Sequence, residues 1–110
     1  MTQDAHLADR IRGILEDADK PKEKRMFGGI AFLIGGNLAV AASGQGGLLV
    51  RVDPEEAEAL LAEDGAGPMT MRGKDLEGWL RVNTAVLDDP AVLEHWVATG
   101  ARRARSLPSP

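Results

Sequence analysis

The chain has 110 residues, of which 44% are hydrophobic and 27% charged, and its formal net charge is −4. That length suits a single domain burying roughly 65% of its unfolded surface in one core, and the composition is that of a globular protein. The absence of cysteine removes disulfides, thiolate catalysis and cysteine-based zinc sites, while the negative charge argues against a protein devoted to non-specific nucleic-acid binding.

The start, Met1-Thr2-Gln3-Asp4, is polar and acidic where a signal peptide needs basic residues and then an apolar stretch. The longest apolar run, Ile30 to Ile34, is too short to span a bilayer. A cytoplasmic protein with no membrane contact is therefore expected.

In chain order, Leu7, Ala8, Ile11, Ile14, Leu15 and Ala18 recur at helical spacing and share a face about 120° wide, which predicts a helix over 4–18. Lys20-Pro21 ends it. Over 24–34, Met26, Ile30, Phe32 and Ile34 share one parity with Gly28 between them, the pattern of a half-buried strand. Gly35-Gly36-Asn37 reads as a turn. Leu38, Val40 and Ala42 mark a strand over about 37–43, and after Ser43-Gly44-Gln45-Gly46-Gly47, Leu48, Val50 and Val52 mark a third over about 47–52.

Asp53-Pro54-Glu55-Glu56 then offers an N-cap, a proline at N1 and a capping-box glutamate, opening a helix over 54–63. Two short strands are expected at about 69–72 and 78–83, joined across Gly73 and Lys74. Asp89-Pro90 opens a last helix over 90–105, with Leu93, Trp96, Val97, Gly100, Ala101 and Ala104 as its apolar stripe, and Leu107 to Pro110 reads as a frayed tail. The expectation is one α+β domain over 1–110, an antiparallel five-stranded sheet in the order α-β-β-β-α-β-β-α with helices mainly on one face.

Candidate chemistry is sparse. His6 and His95 fall on the polar sides of their helices and form no metal-binding spacing. The glycine clusters at 28–29, 35–36 and 44–47 lie within or between strands, whereas phosphate loops lead from a strand into a helix N-terminus, so hairpin turns and a strand kink are their expected use. Ser43 and Ser106 lack a nucleophile-elbow context. No enzyme, cofactor or metal is expected.

Alternation in the last strand sends either Trp79 or Leu80 inward. If Leu80 and Val82 face the helices, then Trp79 and Arg81 point away from them, and on the same parity so do Arg25, Phe27, Arg51 and Arg72. Three readings of those six residues stay open: a partly solvated sheet face, a homodimer or partner surface with Arg and Trp anchors, or a basic-aromatic surface for single-stranded nucleic acid. Nucleic acid is the weaker of the two binding readings, because the net charge opposes phosphate and the arginines are spread over separate elements. Arg102, Arg103 and Arg105 are read as cations complementing the negative end of the last helix dipole.

The block Lys24-Arg25-Met26-Phe27-Gly28-Gly29-Ile30-Ala31-Phe32 resembles the N-terminal domain of the TfoX/Sxy family. So do Gly36-Asn37-Leu38-Ala39, Leu49-Val50-Arg51-Val52, Gly67-Pro68-Met69 with Gly78-Trp79, and the closing 101–108 segment. The resemblance runs over about residues 5 to 108. It implies an α+β fold of α-β(3)-α-β(2)-α order and a non-enzymatic regulatory or adaptor role, since the full-length members regulate natural competence in transcription. The chain ends where their C-terminal helical domain would begin, so a small stand-alone member is expected, with self-association and an unidentified protein as its partners.

Overall fold

The structure, a computed structural model, describes residues 3–15, 21–26 and 28–108. Helix α1 (Gln3–Leu15) is followed by four strands, β1 (Lys22–Met26), β2 (Gly29–Ile34), β3 (Asn37–Ala42) and β4 (Leu48–Arg51), and by a short helix α2 (Ala57–Leu61). Strands β5 (Ala66–Met71) and β6 (Lys74–Val82), a 3-10 helix (Thr84–Asp88) and helix α3 (Pro90–Ser106) complete the fold. All neighbouring strands pair antiparallel in the order β1-β2-β3-β4-β6-β5. The fold class is thus the expected α+β, with three helices and an antiparallel sheet.

The sheet has six strands where five were expected. The single strand expected over 24–34 is a hairpin, with Met26 paired to Gly29 and Arg25 to Ile30. Lys22-Glu23-Lys24-Arg25 has no apolar alternation because it forms an edge, where charged side chains discourage pairing with a further strand. Its link to the rest is partly ionic. Arg12 of α1 donates from Nε to Glu23 Oε2 at 2.5 Å and from Nη2 to Oε1 at 2.7 Å, and also bonds Asp9. The hydrogen bonds from Arg12 hold the Glu23 carboxyl below its ordinary range.

Leu7, Ala8, Ile11 and Leu15 of α1 meet Leu93, Trp96, Val97, Ala101 and Ala104 of α3 over one face of the sheet, where Phe32, Val40, Leu48, Val50, Leu80 and Val82 are buried. Ile14, placed in the apolar stripe by its spacing, is 36% exposed, and Ala18 lies outside the described residues, as does the expected end of this helix. Helix α3 approaches β3 so closely that a methyl group at Gly100 would overlap the Ala39 carbonyl oxygen. Ala39 is the extra residue of a bulge, since Phe32 pairs with Val40 and Leu33 with Leu38.

Two of the helix-start signals cap as expected, and only one opens its helix directly. Asp89 caps α3 by accepting from the Ala91 amide at 2.9 Å, with Pro90 at the first turn. Asp53 likewise accepts from the Glu55 amide at 3.0 Å, but residues 54–56 form turns and α2 starts only at Ala57. Asn83 caps the 3-10 helix, an element beyond those expected. The expected frayed tail is anchored through Pro108: Asn37 Nδ2 lies 3.1 to 3.4 Å from the carbonyls of Ala104, Leu107 and Pro108. That amide adds a side-chain donor to the carbonyls at a helix end, of which Ala104 also accepts from the Leu107 amide.

The last hairpin is longer than expected. Its turn is Arg72-Gly73, with φ of 52° and 79°, the left-handed pair of a two-residue hairpin loop. Between Pro68↔Leu80 and Thr70↔Asp75 the register slips, and Gly78, at φ 81°, gives its carbonyl to the Val52 amide at 2.9 Å.

Candidate functional site

Alternation from Leu80 and Val82, both in the helix-side core, sends Trp79 and Arg81 to the opposite face. The pairs Arg51↔Trp79 and Leu49↔Arg81 carry that face onto β4. It is not the open surface that the sequence suggested. Ala31, Ala41 and Leu49 form a second buried cluster with Met69 of β5, and Met26, Leu33, Leu38, Leu76 and Trp79 pack against it. Leu49 is 1% exposed. The register slip lets the β5–β6 hairpin place Met69 and Leu76 against this side of the sheet, so the second face becomes a small core of its own.

The six expected surface residues do not come together as one basic-aromatic face. Arg25 pairs with Ile30, which packs against the helix-side core, so Arg25 belongs to the other face; the reversal between Met26 and Gly29 exchanges the parity that a continuous strand would have kept. Arg72 stands in the hairpin turn rather than on a strand face. Phe27 lies outside the described residues. Arg81 is on the expected face but engaged, donating from Nη1 to the Gly46 carbonyl at 2.7 Å, with Nη2 3.5 Å from Ser43 Oγ. It secures the turn between β3 and β4. Arg51 and Trp79 do meet, with the guanidinium carbon 5.8 Å from the ring centroid, a cation–π distance.

Those two side chains line a cleft of 320 Å³ together with Pro54, Glu77 and Arg103. Arg103 enters from α3, and its Nε is buried without a hydrogen-bond partner. An unsatisfied buried donor costs free energy that an acceptor would recover. The sequence marked Arg103 only as a cation near a helix C-terminus; nothing local could show that α3 brings it beside the end of β4. Its neighbour Arg102 reaches Glu56 at 3.8 Å across an exposed surface, and such a pair adds little stability.

A second groove, of 410 Å³, is lined by the Gln45–Gly47 turn, the Gly65–Pro68 segment and Arg81. Its one cation already bonds the Gly46 carbonyl. His95 Nε2 stands 2.9 Å from Glu63 Oε1 on the exposed side of α3, with its ring edge-on to Trp96 at 5.1 Å between centroids; His6 is exposed. Among the described residues no group of three or more His, Asp or Glu is placed to hold a metal ion, and no helix is long and apolar enough to cross a membrane.

Residues 13–104 match the family model of the TfoX N-terminal domain. No curated protein and no solved structure matches the chain.

Proposed function

The chain belongs to the TfoX N-terminal domain family, and on that premise we propose that it is a non-enzymatic regulatory or adaptor domain of the cytoplasm that works through protein contacts. The carrying observation is the Arg51–Trp79 pair, half-buried and set beside Arg103 in a cleft at the end of β4. Arginine and tryptophan are the residues that most often anchor a protein interface, because each offers a large rigid surface together with hydrogen-bond donors. Self-association belongs to the same reading, through Trp79 and the half-buried Leu33 and Leu38, which pack against the same second core.

The test is photo-crosslinking in cells from p-benzoylphenylalanine placed at Asp75, an exposed position of β6 two residues along the chain from Glu77 of the cleft. A discrete protein adduct that disappears in Trp79→Ala and Arg51→Ala is the expected result. Adducts to nucleic acid alone, or protein adducts indifferent to both substitutions, would reject it. The nucleic-acid reading has one stacked arginine and tryptophan in its favour, where a single-strand platform needs a groove tracking several phosphates.

A further inference from the structure

We propose that the cleft between Arg51, Trp79 and Arg103 is a carboxylate site that receives an acidic side chain from a partner protein. The inference rests on the adaptor reading and names the partner's chemistry. Arg51 and Arg103 both line the same 320 Å³ space, and Arg103 keeps a buried Nε–H with no acceptor. Guanidinium forks match the two oxygens of a carboxylate, and charge-assisted hydrogen bonds of this kind are among the stronger ones. The volume lies at the lower end of the roughly 300–1,000 Å³ usual for ligand pockets, which suits a side-chain head rather than a nucleotide.

The surrounding groups set how the cleft holds an anion. The cation–π contact with Trp79 restrains Arg51, so less freedom is lost when its N–H groups are used. Glu77 lines the same cleft and brings a negative charge against any incoming anion. The chain's net charge of −4 acts in the same direction. Pro54 adds an apolar wall against which the methylenes of a glutamate can pack.

Fluorescence anisotropy on the whole chain tests this with a labelled peptide of four consecutive glutamates and its glutamine counterpart. The glutamate peptide is expected to bind and the glutamine peptide to bind at least about tenfold more weakly, the factor that loss of one charge-assisted contact gives. Arg103→Gln and Arg51→Gln should each reduce glutamate-peptide binding by a similar factor, while thermal melting shows that both variants remain folded. Glu77→Gln should tighten it. Equal binding of the two peptides, no binding of either at millimolar concentration, or displacement of the glutamate peptide by inorganic phosphate more readily than by succinate would overturn the proposal. The adaptor reading fails separately. If free succinate binds in an Arg103-dependent way while neither peptide does, the cleft takes a small carboxylate and not a protein; if the crosslinked adduct persists while the peptides bind alike, only the carboxylate inference falls.

Discussion

A methyl group added at Gly29 would overlap the Ala42 carbonyl oxygen, and one added at Gly44 would overlap the Gly28 carbonyl. The first hairpin and the end of β3 therefore touch backbone to backbone, and glycine is required there by space. Gly28-Gly29 was legible as a structural feature because no helix follows it, but the partner strand was not, since contact at a distance of many residues leaves no local pattern. Gly29→Ala and Gly44→Ala are expected to lower stability by more than about 2 kcal/mol in urea unfolding. Gly13 is the contrast: it sits on an exposed helical position with nothing near an added methyl, and Gly13→Ala should raise stability by about 0.5–1 kcal/mol. Trp96, 1% exposed, should cost about 3–5 kcal/mol on replacement by alanine, and Trp79→Ala, from its half-buried position, clearly less. Equal losses for the two tryptophans would show that the faces of β6 are misassigned. The placement of Trp79 and Arg81 on one face followed from alternation once Leu80 was taken as inward, whereas that of Arg25 differs because the chain changes strand between Met26 and Gly29.

Elements announced by local chemistry were readable, and those defined by their neighbours were not. Asp89-Pro90 marks the start of α3 because capping needs only adjacent residues. Lys22–Met26 is a strand only because β2 lies beside it, and Lys74-Asp75-Leu76-Glu77, too polar to read as strand, extends β6 by pairing with β5. The ionic tie between α1 and β1 gives a pH-dependent prediction at this scale. The folded-state pKa of Glu23 is lowered, so its stabilising contribution is present above the ordinary carboxylate value and is lost as pH falls through the folded value. Both partners are well exposed, so the effect is expected to stay below about 1 kcal/mol. Comparing the chain with Glu23→Gln across pH should show a stability gap at neutrality that closes in acid; a gap of constant size would mean the carboxylate charge is not its source. Asn37→Ala is expected to cost about 1 kcal/mol and to speed amide exchange in the last turn of α3, with the first turn unchanged.

For the molecule as a whole, two cores on opposite faces of one sheet replace the single core that the composition implied. The large apolar residues exposed among those described are Ile14 and Leu61, at 36% and 38%, so self-association through Leu33, Leu38 and Trp79 should be weak. Sedimentation over a concentration series is expected to show mass rising only at high concentration, and Trp79→Ala should shift it toward the monomer. A tight dimer indifferent to that substitution would place the contact elsewhere. The close approach of Gly100 to Ala39, and the grip of Asn37 on the carbonyls after Ala104, carry a consequence for synthesis on the ribosome. The hairpin of β2 and β3 leaves the exit tunnel long before the helix that covers it. Through most of translation Phe32, Val40 and their neighbours have only α1 to cover them, and the nascent chain then presents to chaperones a greasy sheet surface that α3 hides in the finished protein.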